Sequence, residues 1–389
     1  MAAWLSKAIE GSSGSCGEMI DRGPPGMQPA AKVDARRRLV VGMLGLSFGP
    51  ASQGAAAALP SAGHAGQPSN GFDAVSAIPG GSTDIWLTDA PRGRRIGVRI
   101  RWPAVAQPSP LILYSPGLGS GLSNGQAWCA AWQRAGFLVM TLSHPHTNES
   151  LWDTRESSFS QNMARALDAK QYPARVADCR HLLDLALRDA GLSKWIDPRR
   201  IGAAGHSYGA LTVQALVGQA GARQRDGRIR AAIALSPGAV SRESAARMKA
   251  VNLPFLSVTG SHDGRVDFVD GSQRIRLGVP VAQRHWVHEA LPAGQRFLVA
   301  LHLADHMSFA GETINRPIVR FSRDVPELDA ADRQIWDRVS AISTRFFQAS
   351  LVAPEAAGSA QSTALDGVAL RDALRAQLGP EDQLKSDLP

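Results

Sequence analysis

A serine hydroxyl is a poor nucleophile near neutral pH. It needs a base to take its proton, a carboxylate to orient that base, and N–H donors for the oxyanion that develops on the attacked carbonyl. The 389-residue sequence offers a candidate for each part. Gly205, His206, Ser207, Tyr208 and Gly209 spell a Gly-x-Ser-x-Gly pentapeptide, preceded by apolar residues and followed by Ala210, Leu211, Thr212 and Val213, a plausible helix start. Five loosely specified positions also arise by chance in a Gly-rich chain, so the context decides. In the elbow reading a buried strand ends at Gly205, the chain reverses through a strained Ser207, and a helix opens at Tyr208. The glycines keep side chains out of the tight turn, and the positive end of the new helix lies beneath the hydroxyl.

The candidate acid is Asp263, which follows the buried run 255–259, and the candidate base is His306, in the loop after the run 297–301. Both then sit at carboxyl ends of strands, on the edge that carries Ser207, in the chain order serine, acid, histidine. Asp267 and Asp270 are rival acids further from the strand end, and His302, His285 and His288 are rival bases. Asp305 adjoins the base as a structural acceptor pointing away from the cleft, and His206 leaves the turn in another direction for a packing role. Two backbone N–H groups would face the oxyanion: that of Tyr208 at the helix start, and that of Leu118 in the loop after the strand 111–114. Gly117, Gly119 and Gly121 let that loop approach a substrate.

The elements that must hold these residues read as follows. Runs at 84–89 and 95–102, the second with Ile96, Val98 and Ile100 alternating, make a half-buried hairpin. Buried runs at 111–114 and 137–142, with a helix carrying Trp128, Cys129 and Trp132 between them, imply a parallel sheet with crossover helices. The polar insertion 144–172 is expected to form a cleft wall or partial cap, and the alternative is a surface excursion with no ligand contact. Further strands are expected at 229–235, 255–259 and 297–301, and a last helix at about 330–351 with apolar positions at Ile335, Val339, Ile342, Phe346 and Phe347. The fold class is therefore α/β: a mostly parallel central sheet, helices on both faces, and an antiparallel hairpin at the amino-terminal end. Domain limits follow: a leader at 1–65, a linker at 66–83, the catalytic domain at 84–352 and a carboxyl-terminal extension at 353–389.

Composition narrows the classes. With 44% hydrophobic and 20% charged residues the chain is ordinary globular material, and its formal charge of +8 comes from arginines spread along the sequence. That gives no nucleic-acid arm. Cys16, Cys129 and Cys179 show no metal-ligand spacing, so no metal is expected, and Cys129 and Cys179 fall in helices on opposite faces of the sheet, which argues against a bridge. Gly117 and Gly119 after a strand also suggest a dinucleotide turn. The third glycine position is Leu122, however, and the next strand ends in Leu142, Ser143 and His144 with no acid for a ribose, so no cofactor is expected. The leader carries Arg36, Arg37 and Arg38, then a modest apolar run, then small residues through 54–59. That layout is an export signal, with paired arginines of the twin-arginine kind, and the alternative is an unstructured leader. The apolar run is about half the roughly 20 residues a membrane span needs.

Residues 89–351 resemble the α/β-hydrolase superfamily, and within it the branch of platelet-activating-factor acetylhydrolases and bacterial dienelactone-hydrolase-like proteins. The matching features are Asp89 and Arg92, the loop 115–119, the pentapeptide 205–209, Gly260-Ser261-x-Asp263, and Asp305-His306-x-Ser308-Phe309. True dienelactone hydrolases use a cysteine nucleophile, whereas this chain has Ser207. The resemblance implies a metal-independent carboxylic-ester hydrolase that works through an acyl-enzyme on a small-molecule or lipid-like ester. Peptidase, thioesterase or perhydrolase chemistry would use the same three residues, and a binding protein on this fold is the non-enzymatic alternative.

Overall fold

The computed structural model describes residues 72, 75–270, 273–312, 327–352 and 366–387. The leader, on which the expected export signal falls, and residues 66–71, 73 and 74 of the linker lie outside the described residues, as does Cys16. In chain order the strands are β1 (Ser82–Asp89), β2 (Arg94–Arg101), β3 (Ser109–Ser115), β4 (Leu138–Ser143), β5 (Ile196–His206), β6 (Ile229–Leu235), β7 (Phe255–His262), β8 (Val266–Asp270), β9 (Gln273–Leu277), β10 (Arg296–Asp305) and β11 (Gln383–Ser386). The α-helices are α1 (Gln126–Arg134), α2 (Phe159–Leu167), α3 (Gln171–Arg188), α4 (Tyr208–Val217), α5 (Arg242–Ala246), α6 (Val281–Ala290), α7 (Glu327–Phe347) and α8 (Gly367–Arg375).

Among the described residues a nine-stranded sheet runs in the order β1-β2-β4-β3-β5-β6-β7-β10-β11. Strands β4, β3, β5, β6, β7 and β10 are mutually parallel, β1 and β2 form the antiparallel hairpin, and β11 closes the far edge antiparallel to β10. This is the expected fold class, and the arrangement is that of an α/β-hydrolase. The central strands are apolar without alternation because both faces are covered. On β3, Leu111 and Leu113 join one core with Val176, Leu182 and Leu183 of α3 and Val213 of α4. Ile112 and Tyr114 join the other, with Trp128 and Trp132 of α1 and Ile335, Val339 and Phe346 of α7. Cys179 belongs to the first core and Cys129 to the second, and both are free thiols. Trp132 ties α1 to α7 through its indole N–H, which donates to Ser343 Oγ at 2.9 Å, and through an edge contact with Phe347 at 5.4 Å.

Three features depart from the expected layout. The strand leading to Ser207 runs one residue further, through His206. A second sheet, the hairpin β8–β9, follows Asp263 where no strand was expected. The segment beyond 352 contributes more than an extension: α8 buries Leu370 and Leu374 in the α7-side core, and the short polar β11 pairs with β10. An edge strand with one half-covered face needs few apolar residues, so its sequence carries little signal. No described helix is long and apolar enough to cross a membrane.

Candidate active site

The parallel register lines up the carboxyl ends of β3, β5, β6, β7 and β10, and each strand is followed at once by a polar residue or a glycine-bearing loop. Ser207 caps β5 with φ 55° and ψ −114°, a conformation that side chains seldom adopt. It is held there because its N–H donates to Leu235 O at 3.0 Å while its carbonyl accepts the Leu211 N–H at 3.1 Å. The flanking glycines are a steric requirement. A Cβ on Gly209 would lie 1.8 Å from Ser115 O, and one on Gly205 would lie 2.4 Å from Gly209 O.

Ser207 Oγ lies 2.8 Å from His306 Nε2, and His306 Nδ1 lies 3.0 Å from Asp263 Oδ1. The tautomer that satisfies both bonds carries its proton on Nδ1, leaving Nε2 free to accept from the serine hydroxyl. The three residues singled out from sequence therefore meet in one hydrogen-bonded chain. The rivals do not. Asp267 is on β8, paired with exposed Arg276 at 2.6 Å, and Asp270 ends that strand. His302 lies 3.3 Å from Glu381 Oε2, and His285 and His288 are on α6. Asp305 accepts the Ser308 N–H at 2.8 Å, the structural role expected of it. His206 Nε2 donates to the His306 carbonyl at 3.0 Å, and burial, reinforced by the neighbouring imidazole, holds it well below the usual histidine range.

Two further side chains enter this chain. Ser236, directly after β6 and itself at φ 56°, donates its hydroxyl proton to Asp263 Oδ1 at 2.7 Å and stands 2.7 Å from His306 Nδ1. Arg284 of α6, 2% exposed, places Nη2 3.1 Å from Asp263 Oδ1. The other carboxylate oxygen accepts from Thr259 Oγ1 at 2.8 Å. Burial alone would push the Asp263 carboxyl up, but the Arg284 charge and the bonds from His306 and Ser236 outweigh it and hold the group at about 2. Neither Ser236 nor Arg284 stands in a recognisable motif. The only hint is that Ser236, like Asp263 and His306, directly follows a buried strand.

Leu118 and Tyr208 line the same cavity as Ser207 and His306. The loop bearing Leu118 is fixed by Gly119, whose N–H donates to Thr147 O at 2.8 Å and whose carbonyl accepts the Trp152 indole N–H at 2.6 Å. Apart from Ser236 and Arg284, the remaining walls are apolar and include Leu167, Leu211, Val240, Phe268 and Val279. The insertion 144–172 reaches this cleft. Leu151, Phe159, Met163 and Leu167 pack with Val266, Phe268 and Leu277 of the β8–β9 hairpin, and Trp152 stacks near-parallel on Phe159 at 5.8 Å and on Phe268 at 6.1 Å. The two insertions thus make one apolar wall beside Ser207.

No family model and no curated protein matches the chain. Among solved structures it is similar to a ferulic acid esterase from Streptomyces cinnamoneus, with 19% identity over 75% of this chain and 94% of that one and a TM-score of 0.49.

Proposed function

We propose that the chain is a serine hydrolase of carboxylic esters that works through an acyl-enzyme. The support is the hydrogen-bonded order Ser207, His306, Asp263 at the carboxyl edge of the sheet, opening on an apolar cavity. His306 Nε2 takes the hydroxyl proton as Ser207 Oγ bonds to the ester carbonyl carbon. The carbonyl oxygen becomes an oxyanion facing the N–H groups of Leu118 and Tyr208. Its collapse breaks the bond to the alcohol oxygen, which leaves with the proton from Nε2. Water then gives a proton to Nε2 and attacks the acyl carbon, and Ser207 departs with that proton, releasing the acid. Asp263 orients the imidazole and offsets its charge in both halves.

An apolar cavity suits the neutral, hydrophobic side of an ester better than a peptide main chain, whose polar groups would need partners there. The resemblance to the acetylhydrolase and dienelactone-hydrolase-like branch supports the same reaction on a small or lipid-like ester. The basic, apolar and small-residue layout of the leader supports export to the periplasm or beyond.

The test is turnover of p-nitrophenyl acetate together with labelling by a fluorophosphonate. The wild type should hydrolyse the ester and take up one phosphonyl group on Ser207. Ser207→Ala should lose about 10⁴-fold or more in kcat and take up none. Activity surviving in that folded variant would remove the proposal, and a parallel panel of amides and thioesters separates ester hydrolysis from peptidase and thioesterase chemistry.

A further inference from the structure

A second buried array lies beneath the Leu118 loop, and the reaction sequence does not use it. Its centre is Arg175 of α3, whose side chain is wholly out of solvent. One Nη2 proton goes to the Pro116 carbonyl and the other to Ser115 Oγ at 3.1 Å. Nη1 donates to Thr147 Oγ1 at 2.6 Å, and Nε donates to Thr212 Oγ1 at 3.1 Å. The guanidinium lies over the Tyr208 ring, 4.6 Å from its centroid.

These partners bracket both backbone donors of the proposed oxyanion site. Pro116 is two residues before Leu118. Thr147 holds the residue after Leu118, because its carbonyl accepts the Gly119 N–H at 2.8 Å. On the other side, Thr212 Oγ1 donates to the Tyr208 carbonyl at 3.0 Å, which ties the same guanidinium to the first turn of α4. No other side chain described at the site reaches both elements in this way.

The array is closed rather than reactive. Ser115 Oγ lies 3.0 Å from His144 Nε2, and His144 Nδ1 lies 2.9 Å from Asp178 Oδ2, a serine–histidine–aspartate order that mimics the chain at Ser207. All three are buried, however, and Asp178 is matched by Arg92 Nη1 at 2.8 Å and by Arg94 Nε and Nη2 at 2.8 Å each. Burial, with the charge of Arg175 next, pulls the His144 imidazole down to about 4, so it is neutral and accepts from Ser115 while donating to Asp178. Ser115 in turn accepts from Arg175. Every partner of the guanidinium is thereby fixed in direction, which is what a rigid support requires.

We propose that Arg175 is a positioning residue that sets the Leu118 and Tyr208 N–H groups against the oxyanion through its bonds to Pro116, Thr147 and Thr212. The inference rests on the ester-hydrolase reading. Preorganised donors act only if they are already aimed where charge develops, and a displacement of about 1 Å costs on the order of 10²-fold in rate. A residue acting in this way should affect the transition state and leave ground-state binding alone.

The experiment compares wild type, Arg175→Lys, Arg175→Met and the milder Thr147→Val. The measurements are kcat and KM on p-nitrophenyl butyrate, inhibition by a trifluoromethyl ketone, whose hemiketal carries the oxyanion, and inhibition by the matching methyl ketone, which stays a ground-state mimic. Arg175→Met is expected to lose about 10²-fold in kcat and to bind the trifluoromethyl ketone correspondingly more weakly, with KM and methyl ketone binding within threefold of wild type. Arg175→Lys, which keeps the charge but not the fork, should fall between them, and Thr147→Val should lose less than Arg175→Met along the same correlation. Should Arg175→Met fail to fold, Thr147→Val and Arg175→Lys carry the test. Folded variants that keep wild-type kcat, or that lose affinity for both ketones alike, overturn the proposal. A wild type that is inactive and unlabelled at Ser207 would instead overturn the reaction itself.

Discussion

Arg284 Nη2 lies 3.1 Å from Asp263 Oδ1, the oxygen that also receives the His306 Nδ1 proton at 3.0 Å. The remaining guanidinium protons are spoken for by main-chain carbonyls: Nε by Asp263, Nη2 also by Gly264, and Nη1 by Ser236 and Pro237. One side chain of α6 therefore pins the loops after β6 and β7 together, and these loops carry Ser236 and Asp263. The arrangement has an electrostatic consequence. With a neutral imidazole, the buried charges of Arg284 and Asp263 cancel, whereas during turnover His306 becomes a second cation within 3.0 Å of the first. Arg284 thus keeps the carboxylate ionised and placed at some cost to the imidazolium it supports.

Removing that cation gives the first prediction. Arg284→Met leaves a buried carboxylate and several carbonyls without partners, so stability should fall by about 3–5 kcal/mol, the range for breaking a buried pair. The Asp263 carboxyl, which the Arg284 charge helps to hold at about 2, should rise, so the acid limb of the kcat/KM profile should move to higher pH. Arg284→Lys, which restores the charge without the fork, should recover the pH profile more fully than the stability. A Met variant with wild-type urea midpoint and profile would show the guanidinium to be idle.

The elbow itself gives the second. Gly209→Ala places a methyl where Ser115 O stands, 1.8 Å away, and the obstacle is main chain that cannot swing aside. The expected result is loss of activity with a destabilisation above about 3 kcal/mol, because either β3 or the start of α4 must move. The control is Gly136→Ala, at φ 93° with nothing within 4 Å of the added Cβ, which should cost only the strain of its left-handed backbone, about 1 kcal/mol, and spare turnover. Equal effects at the two positions would contradict the steric account.

How far the site could be read from sequence follows from the same geometry. Ser207, Asp263 and His306 announce themselves because each follows a buried apolar run, and in a parallel sheet all such positions share one edge. Leu118 and Tyr208 were accessible by the same logic. Arg284 and Arg175 were not, since no local pattern marks an arginine as buried. Each lies on a helix that carries other charged and polar residues, and the partners of Arg175 are scattered from Ser115 to Thr212. The β8–β9 hairpin was missed for a related reason: its apolar residues face the insertion at 151–167 rather than the central sheet, so neither stretch looks like core alone.

Buried neutral histidines give the third prediction, for stability against pH. Burial holds His144 and His288 at about 4 and His206 well below the usual range. A histidine whose folded pKa lies below its unfolded value near 6.5 binds fewer protons when folded. Its stabilising contribution is full above about 6.5 and is lost as the pH falls towards 4. For His144 that loss is about 2 kcal/mol by pH 5. Asp263, depressed to about 2, adds a further loss below about 4. Urea midpoints should therefore drop between pH 7.5 and 5, and the drop should be smaller in His144→Gln even though that variant starts less stable. Midpoints that stay level over this range would mean these imidazoles are not held neutral.

The cavity beside Ser207 gives the last prediction, on substrate choice. Its walls include Leu167, Leu211, Val240, Phe268 and Val279, and Arg284, the one arginine or lysine among the described residues that line it, already donates to the carbonyls and carboxylate described above. An added methylene buried there contributes about 0.8 kcal/mol, or roughly fourfold in kcat/KM. Activity on p-nitrophenyl esters should therefore rise from acetate to butyrate, and a half-ester bearing a free carboxylate should be a poor substrate because its charge would be desolvated without a partner. Leu211→Trp should cut butyrate turnover more than acetate turnover by narrowing the wall. Preference for the acidic half-ester, or a Leu211→Trp variant that lowers both esters equally, would place the hydrophobic part of the substrate somewhere other than this cavity.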